Sequence, residues 1–278
     1  MNRKPMRSIK KLARIAAKFC GVYRTPFAVP VIATSAAALI TSAAWAADTP
    51  AASCSARSAA TTARVVELYT SEGCNSCPQA DRWLSRMAPD IEARSDTVAL
   101  AFHVDYWDRL GWKDRFANAA YTARQSQQQA SNGAKFSYTP QVVMDGLDNK
   151  DWINTRVPLK SGAAAGAQLS LTREGNQFNA VVAPVAGGPT RLAAYWAVTE
   201  LNHITAVKAG ENEGVTLKHD FVVREYKPVA AWTTKSDVST PLSFVPSSTA
   251  DAKHPRQVNL VVVDALSGRP VQALKLGC

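Results

Sequence analysis

The chain has 278 residues, 46% of them hydrophobic and 19% charged, with 14 Gly and 15 Pro. These proportions exclude a disordered, collagenous or disulfide-dense miniature protein. The formal net charge of +10 sits at the start: residues 1–46 carry eight Lys or Arg and no acid, leaving 24 bases against 22 acids, too even a balance for a nucleic-acid footprint.

The basic block is followed by a short apolar stretch, 27–40, and then Ala44-Trp45-Ala46. That order reads as a secretory signal over residues 1–46 with cleavage after Ala46. The competing reading, an uncleaved anchor, falls short of the roughly 20 apolar residues a spanning helix needs. No later segment is long and apolar enough to span, so the expected location is periplasmic or secreted. Residues 47–63, rich in Ala, Ser and Thr, read as an irregular leader.

Arg64 to Thr70 is a strand by its β-branched and aromatic content, followed by the turn residues Ser71-Glu72-Gly73 and by Cys74-Asn75-Ser76-Cys77-Pro78. A helix follows, with Ala80, Trp83, Leu84, Met87, Ala88 and Ile91 on one apolar face. Thr97 to Val104 reads as a strand covered on both faces. Trp112 to Gln129 reads as a second helix with Phe116, Ala119, Ala120 and Ala123 as its stripe, stopped at Ser131-Asn132-Gly133. Tyr138-Thr139-Pro140 leads into a short strand, Gln141 to Met144, closed by Asp145-Gly146. Strand, helix, strand, helix, strand predicts an α/β sheet with parallel strands at its centre.

Asp151 to Leu159 reads as one more short helix and Ser161 to Gly166 as a linker. Beyond it the period changes to two. Gln168 to Arg173, Asn176 to Val182, Arg191 to Thr199, Val215 to Tyr226 and Gln257 to Val263 read as strands of an antiparallel sandwich. The expected division is an α/β domain over 64–160 and a β-rich domain over 161–278.

Four cysteines lie beyond the signal: Cys54, Cys74, Cys77 and Cys278. An even count in an exported chain favours disulfides, and the C-x-x-C stands apart from the other two. The remaining pair reads as a Cys54 to Cys278 staple of the termini, against frayed thiols or a bridge between molecules. A thiol exchanges with a disulfide only as the thiolate, with a second sulfur near enough to resolve the mixed species. Cys74, expected to open a helix, has backbone N–H groups to favour its charge, and Cys77 lies one turn on.

Strand, turn, C-x-x-C and helix, then the strand ending at His103, then Tyr138-Thr139-Pro140 before a hairpin strand, together resemble the thioredoxin superfamily over Val65 to about Gly146. The segments VELYTSEGCNSCPQAD, HVDYWDRLGWKD and YTPQVVMDG, with Gly210-Glu211-Asn212, resemble more closely an exported bacterial family catalogued as domain of unknown function 1223, whose members are described as thioredoxin-like. The resemblance implies a cis peptide at Pro140 facing the cysteines and a substrate strand held at Tyr138 and Thr139. One departure from thioredoxin itself is Gly73, where a Trp precedes the first cysteine.

Glu67 resembles the buried acid that thioredoxins keep beneath the disulfide as a proton acceptor, one residue out of step; the alternative is an acid paired with a base. His103 and Asp105 end a strand expected beside the cysteine-bearing one, so His103 stabilises the thiolate or shuttles protons, or is structural. Trp107, with Tyr106 and Trp112, lines a substrate groove or packs the core. His203, His219 and His254 lack ligand spacing and read as structural. The resulting expectation is an exported thiol–disulfide oxidoreductase in which Cys74 attacks and Cys77 resolves. It needs no cofactor and acts on a protein or small-molecule disulfide with a separate redox partner. The alternative is a non-catalytic thioredoxin-like binding module with a permanent Cys74–Cys77 bridge, or a copper or zinc clamp of Cys74, Cys77 and His103.

Overall fold

A computed structural model of the chain describes residues 54–155 and 162–278. The expected signal and its cleavage site, Cys20, the start of the leader and the end of the short helix placed at Asp151 to Leu159 lie outside the described residues. In chain order the strands are β1 (Cys54–Arg57), β2 (Arg64–Thr70), β3 (Thr97–His103), β4 (Gln141–Met144), β5 (Leu147–Asp148), β6 (Ala167–Glu174), β7 (Gln177–Pro184), β8 (Arg191–Glu200), β9 (His203–Ala206), β10 (Thr216–His219), β11 (Val222–Thr233), β12 (Thr240–Phe244), β13 (Arg256–Asp264) and β14 (Pro270–Leu276). The helices are α1 (Cys77–Arg86), α2 (Ala88–Glu92) and α3 (Ala119–Asn132).

Among the described residues the largest sheet has eight strands in the order β14-β13-β8-β11-β3-β2-β4-β5. β2 and β3 run parallel with Arg64 opposite Thr97, and β4 runs antiparallel to β2. The change from α/β to all-β pattern near residue 160 is a change of composition along this one sheet. β11 lies between β3 and β8, touching β3 in parallel at Val222 and Ala101, while β8, β11, β13 and β14 pair antiparallel. The sandwich is completed by a second sheet, β1-β6-β7-β12. Its inward residues, among them Leu169, Leu171, Phe178 and Val182, enclose a core with Leu192, Trp196, Val258 and Leu260 of the large sheet. β1 therefore turns part of the expected leader into an edge strand against β6.

The two faces of β2 and β3 carry different layers, because successive strand residues point to opposite sides. Val66, Leu68, Ala99 and Ala101 pack with Ala80, Trp83, Leu84 and Ile91 of the first helical layer. Val65, Tyr69, Leu100 and Phe102 face α3 and Tyr121. The first helical stripe is buried as its period predicts, although the chain breaks it into α1 and α2 around Met87 and Pro89.

α3 departs from expectation. It starts at Ala119, where the Asn118 side chain accepts from the Ala120 N–H at 2.9 Å, and ends at Gly133 in the left-handed region. Ala119, Ala120 and Ala123 are exposed, while Tyr121, Arg124, Gln125, Gln128 and Asn132 are buried. The inward stripe is polar because it meets a buried acid, Glu67, across the sheet face. Of the short helix expected after Asp151, the described part is one 3₁₀ turn, Trp152–Asn154.

Candidate functional site

β2 ends at Thr70 and the chain turns through Ser71 to Ser76 into α1. The turn is built from its own backbone: the Cys74 N–H donates to Ser71 O and the Cys77 N–H to Cys74 O, both at 3.2 Å. Helix α1 begins at Cys77 rather than Cys74, with Pro78 in its first turn, where a missing N–H costs little. Cys74 and Cys77 form a disulfide with their Cα atoms 5.4 Å apart. The Ser76 hydroxyl lies 3.3 Å from Cys74 Sγ. Asn75 and Ser76 are exposed, but both cysteines are fully buried.

Two loops pack against the turn that carries them. Asn212 Nδ2 donates to the carbonyl of Glu72 at 2.8 Å and to that of Cys74 at 3.0 Å, and the Asn75 N–H donates to a Glu211 carboxylate oxygen at 3.2 Å. The Gly210 to Gly214 segment thus lies across the disulfide turn. Gly210 is required where it stands: its φ is +79°, and a Cβ there would sit 3.2 Å from Trp112 Cβ. Trp112 in turn donates to Glu72 Oε2 at 2.8 Å. From the other side Trp107 packs on Gly73, where an added Cβ would come within 3.3 Å of Trp107 Cβ. Its Nε1–H donates to Thr139 Oγ1 at 2.7 Å, immediately before the cis Thr139–Pro140 peptide. Trp107 and Trp112 therefore brace the turn, and Trp107 ties it to the Pro140 segment.

Behind the disulfide lies a buried polar cluster. His103 Nδ1 and Asp114 Oδ2 are 2.6 Å apart, and the same Asp114 oxygen accepts the Glu72 N–H at 2.9 Å. Thr70 Oγ1 donates to Asp81 Oδ2 at 3.0 Å. The ring of His219, at the end of β10, lies against that of His103 with centroids 4.9 Å apart. His219 Nε2 is 3.5 Å from Glu72 Oε1 and Nδ1 is 3.6 Å from Asp81 Oδ1. Burial disfavours charge on His219, but Asp81 and Glu72 outweigh it and push its pKa up to about 10. Burial likewise opposes ionisation of Asp114, and the adjoining His103 overcomes it, holding the carboxyl below its ordinary value.

Glu67 falls elsewhere. Its carboxylate accepts from Arg124, Gln128, Tyr195 Oη and, at 3.1 Å, Tyr69 Oη. Glu67 and Tyr69 share the α3 face, whereas Leu68 packs with α1. One residue of displacement in a strand reverses the face. Glu67 is an acid paired with a base on the far side of the sheet from the disulfide; the acids on the near side are Glu72 and Asp81. His103, with the opposite parity, does reach the α1 side.

Tyr138 donates through Oη to Asp148 Oδ1 at 2.8 Å and accepts at its carbonyl from Gln125. With Lys135, Phe136, Lys150 and Trp152 it lines an apolar cleft of about 280 Å³. Cys54 and Cys278 form the second disulfide, joining β1 to the residue after β14. A clamp of Cys74, Cys77 and His103 would need both cysteines as thiolates, and here they are bonded to each other. The sequence reading gave no place at the site to Glu72, taken as a turn residue, to His219, taken as structural, to Glu211 and Asn212, noted only in the resemblance, or to Asp81 and Asp114. Asp81 had a local signal, lying one helical turn after Cys77 on the same face; His219 had none, because only the pairing of distant strands brings it to His103.

Residues 65–263 match the family described as "Protein of unknown function (DUF1223)". Among solved structures, protein AGR_C_4864 from Agrobacterium tumefaciens is 26% identical with a TM-score of 0.59, the match covering 79% of this chain and 96% of that one. HBP35 of Porphyromonas gingivalis is similar in fold, with 14% identity, a TM-score of 0.53 and coverage of 79% and 76%. No curated protein matches the sequence. Among the described residues no helix is long and apolar enough to cross a membrane.

Proposed function

The chain belongs to the DUF1223 family, and from that premise we propose that it is an exported thiol–disulfide oxidoreductase of thioredoxin-like architecture. The observation that carries this reading is the Cys74–Cys77 disulfide between the end of β2 and the start of α1, with Asn75 and Ser76 at the surface. In the reducing direction the Cys74 thiolate attacks one sulfur of a substrate disulfide and expels the other as a thiolate. Cys77 then attacks Cys74 Sγ, which releases the second substrate sulfur and restores the Cys74–Cys77 bond. Oxidation of a substrate dithiol is the same sequence reversed. The Ser76 hydroxyl is placed to donate to a Cys74 thiolate. The apolar cleft at Phe136, Tyr138 and Trp152, adjoining the Thr139–Pro140 segment, suits an aromatic or aliphatic residue of an extended substrate. Because the Gly210 to Gly214 segment covers the disulfide, exchange requires that segment to move. Export rests on the basic block, the apolar stretch and Ala44-Trp45-Ala46, and is tested by whether the mature chain begins at Ala47.

Full burial of both cysteines favours a second reading, a thioredoxin-like binding module in which the bridge is permanent. The reduction potential separates the two. The full chain is equilibrated in glutathione buffers of graded poise and its thiols trapped for mass spectrometry. A reversible Cys74–Cys77 transition, together with disulfide exchange lost in Cys74→Ser, supports the oxidoreductase. A pair that stays oxidised at every poise overturns the oxidoreductase and turns the reading to the binding module.

A further inference from the structure

Four buried polar atoms of one cluster fall short of hydrogen-bond geometry: His103 Nε2, and His219 Nδ1, His219 Nε2 and Glu72 Oε1, whose nearest partners stand at ion-pair distances of 3.5 and 3.6 Å. Such groups are rare in native interiors, and a cluster of them marks the place of a water or an ion. Asp81, His103 and His219 are all buried, and each offers one ligand atom within 4.8 Å of the other two. From this geometry we infer that Asp81, His103 and His219 bind a divalent transition-metal ion of the zinc class.

The donor set is right for that class: two imidazoles and one carboxylate suit zinc better than the all-oxygen shells of calcium or magnesium. Zinc bonds of about 2.0–2.2 Å place tetrahedral ligands roughly 3.4 Å apart. The Asp81 Oδ1 to His219 Nδ1 separation of 3.6 Å is already close to that spacing. The widest ligand pair would have to close by no more than about 1.4 Å, within the reach of side-chain rotation.

The surroundings are those of a metal centre. A ligating histidine commonly gives its other ring N–H to a carboxylate, which fixes the ring and its tautomer. His103 does this: Nδ1 is held by Asp114 at 2.6 Å, leaving Nε2 as the free donor atom. Asp81 is oriented by the Thr70 hydroxyl at 3.0 Å, and Glu72 by Trp112 Nε1 at 2.8 Å. Glu72, Asp81 and Asp114 are buried carboxylates whose ion pairs, among the described residues, are with His103 and His219, and a bound ion would take over the positive charge that His219 supplies to them. A cleft of about 100 Å³ lined by Pro78, Asp81, Thr216 and His219 provides a path from solvent; Arg82 and Lys218 also line it, and Lys218 is engaged by Asp220 at 3.3 Å.

The ion would tie α1, β3 and β10 together one turn behind the disulfide, a site of structural type with no thiolate ligand. It does not depend on the redox reading, since it is measured on the chain with both disulfides intact. The full chain, stripped with chelator and dialysed, is titrated with zinc alone by calorimetry, and with cobalt by absorption spectroscopy. The expected result is one ion per chain, cobalt bands without sulfur-to-metal charge transfer, and a melting temperature that rises with added zinc. Asp114→Asn should weaken binding roughly 10- to 100-fold, the size of an outer-shell loss, and His219→Ala should abolish it. If His219→Ala fails to fold, the wild-type stoichiometry and the cobalt spectrum still decide. No stoichiometric binding by the wild type, a sulfur-to-cobalt band, or full binding by folded His219→Ala would each overturn the site.

Discussion

Replacing Asn212 by Ala removes one amide that donates twice, at 2.8 Å to Glu72 O and at 3.0 Å to Cys74 O, from a residue only 5% exposed. A net contribution of about 0.5–1.5 kcal/mol per hydrogen bond puts the loss at roughly 1–3 kcal/mol. Gly210 and Gly214, both at positive φ, stand at the two ends of the segment. If reductant reaches the Cys74–Cys77 bond only when that segment is lifted, the loss appears almost wholly in the opening equilibrium. The rate of reduction should then rise by about 5- to 150-fold. The assay follows reduction of the full chain by dithiothreitol at fixed pH, trapping thiols at intervals and assigning them by peptide mass. Cys54 and Cys278 in the same sample serve as an internal reference, since their bridge lies at the β1 end of the other sheet. A rate within twofold of wild type in a folded Asn212→Ala chain would refute the covering role of the segment.

Glu67→Gln leaves Arg124 buried without its carboxylate, which should cost about 3–5 kcal/mol in urea unfolding. The same variant should leave the pH profile of Cys74–Cys77 reduction unchanged; a shifted profile would restore Glu67 to the redox site. Joint Cys54→Ser and Cys278→Ser substitution opens a loop with a sequence separation of 224. It should lower stability by up to about 5 kcal/mol in chain-entropy terms and leave thiol exchange intact, as melting and exchange assays on one preparation will tell. Lys275 is buried with its ammonium on the Ile91 carbonyl, and burial lowers its pKa to about 8 despite the pull of Glu92 and Asp96. The unfolded chain, with Lys near 10.4, binds the extra proton between those values, so stability should rise as pH goes from about 8 to about 10.4, by on the order of 2–3 kcal/mol. Lys275→Met should flatten that rise and be the more stable chain at neutral pH; a wild-type urea midpoint that is level across the window would contradict it.

Local pattern made much of the framework legible. β2 and β4 have the bounds their residue types predict, and the first helical stripe is buried as its period requires. Gly133 stops α3 where the Ser-Asn-Gly run places the stop, and the Thr139–Pro140 peptide is cis, as the resemblance implied. Each of these is specified within a few residues by side-chain periodicity or turn chemistry. The failures have one cause. The polar inward face of α3 was unreadable because Arg124 and Gln128 are drawn in by Glu67, a partner on another element. β9, β12 and β14 are short or poorly alternating and exist through neighbours that pair with them.

The candidate site divides in the same way. Composition and spacing by themselves determined the C-x-x-C and its place between a strand and a helix; for Cys54 and Cys278 they left a bridge, free thiols or a link between molecules open, and the structure joins the two. Only the tertiary structure decided that Glu67 faces away, that Asn212 closes over Cys74, and that His219 meets His103 and Asp81. Periodicity says that a residue lies on one face or the other of its own strand. Which face meets which layer, and which distant strand lies alongside, is set by the burial of the whole sheet, a sum over contacts that no local window contains.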